Sequence, residues 1–188
     1  MKHELWYSVV VRDRHGKVLS RERRKSRSLL KQWNQLVYAH MASTALIITD
    51  TGGTPRNISA DGFSFQMKAV AGNDDYGIRV GTGNTPVAID DYALETPIAE
   101  GTGAGQMEHL LCTVADFVVA APSCSFLTSR SIVNNSPGII TVREAAIYMK
   151  MEGIVTYYGC GARDVFNSPQ AVPVGGAITI DWTIQATV

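Results

Sequence analysis

One run of this chain constrains its fold more than any other. Ile178, Ile180, Trp182, Ile184, Ala186 and Val188 alternate without a slip against Thr179, Asp181, Thr183, Gln185 and Thr187. Successive side chains on a strand point to opposite faces, so a two-residue period marks a half-buried strand. A register slip of one residue would turn every isoleucine into water. The run is expected as a single strand with its apolar face on the core and its polar face wet or against a neighbour. It reaches the last residue of the sequence, which predicts an end built into a sheet.

Weaker strand signals recur upstream. Residues 4–12 are β-branched and aromatic and meet the turn residues Asp13, Arg14, His15 and Gly16 before Val18 and Leu19, which predicts a β-hairpin. Residues 63–70 (Phe-Ser-Phe-Gln-Met-Lys-Ala-Val) alternate strictly and predict a half-buried strand, and Gly77 to Val80 a short one. Residues 107–120 read as one long strand, and 125–133, 139–151 and 153–159 as further strands, with Pro122, Pro137 and Gly153 as breaks. A single helix is expected. Leu29, Leu30, Trp33, Leu36, Val37, His40 and Met41 recur at three- and four-residue steps, Lys31, Gln32, Asn34 and Gln35 lie opposite, and Ser26 or Ser28 is placed to cap it. The fold class predicted is mainly β: a jelly-roll-like β-sandwich with an N-terminal β-hairpin and one amphipathic helix. The 188 residues suit one domain, with residues 1–45 forming a basic hairpin plus helix packed on it.

The charge is polarised. Net charge is zero, yet residues 1–31 carry ten Lys/Arg against three acids, and the other 157 residues carry seven against fourteen. Such opposed blocks attract one another between neighbouring copies. Arg12, Arg14, Arg21, Arg23, Arg24, Lys25, Arg27 and Lys31 are therefore the candidate subunit-docking residues; a solvated edge that blocks stray pairing is the plainer alternative. The long stretch 81–105 is a candidate second contact. Neutral overall charge argues against a global nucleic-acid binder, and no stacking platform accompanies the basic residues beyond Trp6 and Tyr7, so nucleic acid is not an expected partner. No apolar run approaches the ~20 residues of a membrane span, and the first sixteen residues do not read as a signal peptide.

Catalytic and metal patterns were sought in turn. The glycines at 81–83 and 101–105 lack the Lys-Ser/Thr of a phosphate loop and are expected to serve turns. Asp74-Asp75 and Asp90-Asp91 are expected as turn caps. His3, His15, His40 and His109 have no metal-ligand spacing, and His109 and Cys112 would lie on opposite faces of one strand. Cys112, Cys124 and Cys160 form an odd set without ligand spacing and are expected as packed thiols in a reducing compartment. The expectation is a protein that is not an enzyme, with no cofactor, no metal and no small-molecule substrate.

Several stretches carry a family resemblance. Ile78-Arg79-Val80-Gly81-Thr82-Gly83-Asn84-Thr85-Pro86-Val87 and Asp91-Tyr92-Ala93-Leu94 through Gly101 fit I-x-V-G-T-G-x-T-x-V followed by D-Y-x-L-x-x-x-I-x-x-G. Thr141-Val142-Arg143-Glu144-Ala145-Ala146-Ile147-Tyr148 fits T-V-x-E-x-G-L-Y, with Ala146 in place of the usual Gly. Ala162-Arg163-Asp164-Val165 and Val172 through Ile180 resemble the closing segments of the same pattern, and the hairpin, Ser26-Arg27-Ser28 and a Trp-bearing helix are similar too. These resemble small structural proteins of tailed-bacteriophage virions. The resemblance covers about half the chain in pieces and carries no catalytic residues. It implies a virion protein, assembled in the host cytoplasm, whose partners are its own copies and other virion proteins. The neck or tail apparatus is favoured; the alternatives are a head-decorating capsid protein and a receptor- or carbohydrate-binding fiber module. A carbohydrate binder would present exposed aromatics, for which Tyr148, Tyr157 and Tyr158 are the candidates.

Overall fold

The computed structural model describes residues 2–26 and 28–188, and for residues 2 and 3 the backbone alone. The elements in chain order are β1 (Lys2–Arg12), β2 (Val18–Ser26), α1 (Lys31–Ala42), β3 (Leu46–Thr49), β4 (Pro55–Ile58) and β5 (Gly77–Gly81). They continue with β6 (Glu108–His109), β7 (Thr113–Val114), β8 (Val118–Ala120), β9 (Ser123–Val133), β10 (Ile140–Glu152), β11 (Thr156–Val172) and β12 (Ala177–Thr187). Among the described residues strands hold 51% and the one helix 7%, in antiparallel sheets of a sandwich-like, mainly-β fold.

The wide sheet runs β2-β1-β12-β9-β6, with β7 and β8 also on β9. The narrow sheet runs β11-β10-β5, and β3 pairs β4 in a small hairpin. The terminal alternation becomes β12, paired along its whole length by β1 on one side and β9 on the other. Ile178, Ile180 and Trp182 are fully buried, as the period predicts. They meet Val9, Val11 and Ile132 of their own sheet and Ile78, Val80, Val142, Ile147 and Phe166 of the narrow one in a single core. The opposite face of β12 is hydroxyl-rich: Asp181 accepts from Ser8 (3.3 Å) and Ser129 (2.5 Å) across both ladders.

The helix differs from its expected design. Its N-cap is Leu30, with no side-chain cap, and neither Ser26 nor Ser28 fills the position. Ser28 instead donates to Asp164 of β11 at 2.7 Å. The buried face is Gln32, Leu36 and Ala39, whereas Met41 is 84% exposed, so the apolar stripe is rotated from the one that spacing suggests. The helix lies on β11, where Leu30 N bonds to Gly161 O and a Cβ on Gly161 would stand 2.6 Å from Met149 Cε and 3.1 Å from Trp33.

Two expected strands are corrected. Residues 66–70 alternate, with Met67 and Ala69 buried between exposed neighbours, whereas Phe63 is exposed and Ser64 buried; residues 63–70 form no ladder. Their backbone groups are spent singly, Phe65 N on Lys150 O, Gln66 O on Lys150 N and Ala69 O on Cys112 N. Residues 107–120 are three short strands rather than one, because Cys112 N turns away from β9 to reach Ala69. The strand expected over 153–159 begins at Thr156 and runs on to Val172.

Candidate functional site

The segments that carry the family resemblance meet at one buried point. β10 lies between β5 and β11, so Glu144 stands opposite Gly81 on one side and Val165 on the other. Glu144 is fully buried. Its carboxylate accepts from the backbone N–H of Thr96 (2.9 Å), Gly83 (3.1 Å) and Glu95 (3.2 Å) and from Arg163 Nε (2.8 Å). Arg163, also buried, donates to Asp91 at 2.7 Å and to Thr85 O at 3.2 Å. Burial alone would lower the Arg163 pKa; its hydrogen bonds to the Glu144 and Asp91 carboxylates outweigh it, and the net shift is upward. Glu95 closes the loop by accepting Asn84 N (2.7 Å) and Thr85 N (2.8 Å), and the bond from Thr85 helps hold its carboxyl below the usual range.

This geometry corrects the expected role of the glycines. Gly81 and Gly83 are there for space and not for a turn conformation. A Cβ on Gly81 would meet Thr96 O at 2.6 Å, and one on Gly83 would meet Glu95 Cβ at 2.5 Å and Glu144 Oε1 at 2.6 Å. Asp91 caps Ala88 N at 3.0 Å, as a turn aspartate should, but it also neutralises a buried guanidinium. Asp74 likewise pairs with Arg79 at 3.2 Å. The stretch 81–105, expected as an outward contact, is bound inward between residues 82 and 98: Thr82 N to Thr96 O, Ile98 N to Val80 O, and Leu94 N to Tyr148 Oη. Every polar atom of the Glu144 carboxylate is occupied, so the arrangement clamps a loop and offers no free base.

A second buried cation sits in the wide sheet. Arg130 of β9 is 1% exposed and donates to five carbonyls, those of Leu110 (2.7 Å), Asn73 (2.6 Å), Ile78 (3.1 Å), Tyr76 (3.2 Å) and Val70 (3.3 Å). Burial lowers its pKa. His109 lies close by, with Nδ1 3.0 Å from Glu100 Oε2 and a buried Nε2 without a partner. Burial, with Arg130 and Arg79 adding to it, pushes His109 down to about 4. Cys112 Sγ is 3.7 Å from Thr128 Oγ1, so His109 and Cys112 serve different partners. At the other seam, burial pushes Asp164 up to about 6 despite its bond from Ser28.

The sequence-predicted docking residues are dispersed in part. Arg21, Arg23 and Lys25 alternate along β2 opposite Val10, Ser8 and Trp6, on one face of an edge strand. Arg23 stacks 5.4 Å above Trp6, and Lys25 pairs with Glu4 at 2.5 Å. Arg24 points to the other face and pairs with Glu22 at 2.6 Å. Arg12 ends β1, Arg14 stands in the turn with its Nε 3.0 Å from His15, Lys31 opens the helix, and Arg27 lies outside the described residues. The aromatic candidates do not form an exposed platform: Tyr148 is buried, Tyr158 stacks on Tyr76 at 5.9 Å, and Tyr157 lies under Arg56.

An apolar cavity of about 590 Å³ is lined by Trp33, Phe65, Met67, Val114 and Phe126. Among the described residues no group of three or more His, Cys, Asp or Glu side chains could hold a metal ion. Among the described residues no helix is long and apolar enough to cross a membrane. Sequence reasoning from spacing missed Glu144, Arg163, Arg130 and Asp164 as a structural set; the available signal was a charged residue inside an otherwise apolar strand, as in Val142 to Met149. Comparison with protein-family models, with curated proteins and with solved structures found no match for this chain.

Proposed function

We propose that this chain is a non-enzymatic structural protein of a tailed-bacteriophage virion, assembling through repeated subunit contacts in the neck or tail apparatus. The observation that carries this reading is the convergence of the resembling segments. Gly81, Gly83, Asp91, Glu95, Glu144 and Arg163 come from four separate stretches and meet in one saturated, buried cluster. A pattern that encodes such a clamp specifies a framework, and a catalytic pattern would be expected to leave a reactive group facing a cleft. The framework leaves large apolar side chains on its surface, among them Val119 and Phe117, which suits a protein used at interfaces.

Gold-labelled antibody raised against the chain, applied to tailed virions from the source of the sequence, tests the reading. Label at the head–tail junction or along the tail is the expected result. Label over the head lattice would favour the head-decorating alternative, and label at fiber tips the receptor-binding one. Unlabelled particles, with the chain recovered only outside them, would overturn the virion assignment.

A further inference from the structure

The alternation at residues 65–68 serves no ladder, and the cavity beside it accounts for the pattern. Phe65 and Met67 line the space of about 590 Å³, and the exposed Gln66 and Lys68 border it. The wide sheet supplies Val114 and Phe126. Val114 pairs with the buried Thr128 of β9, and Phe126 lies two residues from Thr128 on the same inward face. Trp33 of α1 lines this space and also a second apolar cavity of about 260 Å³, bounded by Leu5, Val37 and Ile184. Trp33, Phe65, Val114 and Phe126 pack on the core and are only partly buried, so their remaining surface borders the cavity. One part of this wall is strained. Phe65 takes a left-handed backbone conformation (φ 68°), which a bulky residue rarely adopts. Such strain persists only where the surroundings enforce it, and it gathers at ligand clamps. Here Lys150 of β10 enforces it by exchanging backbone hydrogen bonds with Phe65 N (3.0 Å) and Gln66 O (3.1 Å). The Phe65 ring is thereby set edge-on against Trp33, with centroids 5.4 Å apart.

Small-molecule sites span ~300–1,000 Å³ and combine apolar walls with a few polar groups that fix the ligand's orientation. This cavity has that character, and Lys68 is the one charged residue in its lining. No acid lines it, and Lys68 forms no salt bridge among the described residues. We propose that the cavity binds a free medium-chain carboxylic acid as its anion, with the hydrocarbon chain on the aromatic and aliphatic wall and the carboxylate at Lys68. The two cavities share Trp33, so the apolar surface is elongated, which suits a chain better than a ring. Burial of the chain supplies most of the affinity. The cation sets the headgroup, because a neutral or cationic end of the same chain gains nothing from Lys68. This site is independent of the assembly reading.

Titration calorimetry on the purified full chain tests this, with decanoate below its micelle concentration as the probe and decanol and decyltrimethylammonium as comparisons. Saturable binding of decanoate is expected, with the ammonium compound about tenfold weaker or more. Lys68→Glu, at an exposed position, is expected to weaken decanoate about tenfold and to leave decanol unchanged. Val114→Trp is expected to fill the cavity and abolish binding of decanoate and decanol alike, with its fold checked by circular dichroism. No saturable binding of decanoate would overturn the proposal. So would equal affinity for the ammonium compound, decanoate binding that Lys68→Glu leaves unchanged, or binding that a folded Val114→Trp retains. Light scattering on the same samples identifies the rival occupant. If decanoate does not bind and the parent chain is an oligomer that Val114→Trp dissociates, the cavity holds a side chain of a second copy and the ligand assignment is wrong.

Discussion

Arg163 and Arg130 are both buried guanidiniums, and their surroundings neutralise them by opposite means. Arg163 in the narrow sheet is held by two carboxylates, Glu144 and Asp91, and its pKa rises. Arg130 in the wide sheet is held by five carbonyl oxygens, and its pKa falls. The first is an ion-pair clamp with a full opposing charge at its centre. The second is a hub of dipoles that gathers the chain from Val70 to Ile78 against β9. Both solve one problem, fixing an irregular segment onto a sheet, since a buried loop needs partners for its backbone groups. They differ in what is left behind when one member is removed.

The largest effect is expected at Glu144. Glu144→Ala removes one of the two carboxylates on a buried guanidinium and the acceptor of three backbone N–H donors, a loss of about 3–5 kcal/mol in urea unfolding. An ordinary buried pair can be replaced by apolar residues at little cost. Here the double variant Glu144→Leu/Arg163→Met should recover little, because Gly83, Glu95 and Thr96 still lack an acceptor. Full recovery would mean that the backbone bonds contribute less than the charge pair.

Arg130→Met is expected to cost less, about 2–3 kcal/mol, because water can reach some of the carbonyls it leaves. Its signature should be local: hydrogen exchange should quicken across residues 70–78 and leave residues 82–96 protected. The reverse pattern is expected for Glu144→Ala. If either variant loosened both segments equally, the two clamps would be one cooperative unit.

The pH dependence sharpens the same contrast, with His109 beside Arg130 and Asp164 next to Arg163 in sequence. Unfolded, Asp164 titrates near 3.8; folded, it keeps its proton up to about 6. Between those values the native state binds more protons, so Asp164 lowers stability as pH rises. His109 does the reverse. Its folded pKa is about 4 against 6.5 unfolded, so the native state binds fewer protons and stability rises with pH over that window. Each contribution is on the order of 3 kcal/mol, and the two largely cancel between pH 4 and 6. Asp164→Asn should therefore expose a rising profile and His109→Gln a falling one, read as unfolding midpoints against pH. The smallest effect is expected at the half-exposed Arg24–Glu22 pair, where Arg24→Ala should change stability by less than about 1 kcal/mol.

What was legible in the sequence follows from the range of the interactions involved. β12 and the β1–β2 hairpin were readable because their periods and turn residues are local. The helix was only half readable: spacing found its length, but Gln32 rather than Met41 faces inward, since β11 decides which side is covered. Residues 66–70 show that alternation reports burial and does not guarantee a ladder, which needs a partner strand. The Glu144 cluster was invisible to spacing. Glu144 and Arg163 lie on adjacent strands with bulges between them, and no local rule predicts that register. The resembling segments contained both residues without revealing that they touch. The basic residues were visible in the sequence as a charge block, but only the strand geometry separates Arg21, Arg23 and Lys25 from Arg24.

The position of β12 has a consequence for the order of events when the polypeptide is made. This strand sits between β1 and β9, and its partners Leu5 and Ile184 are separated by nearly the whole chain. Until it emerges from the ribosome, the β1–β2 hairpin has no neighbour on its inner side, and β9 has none on one of its sides. Closure of the wide sheet must therefore wait until β12 is synthesised, and such long-range pairing is slow. In that interval two apolar strand edges stand open instead of joined, which leaves the nascent protein vulnerable to clumping until β12 arrives.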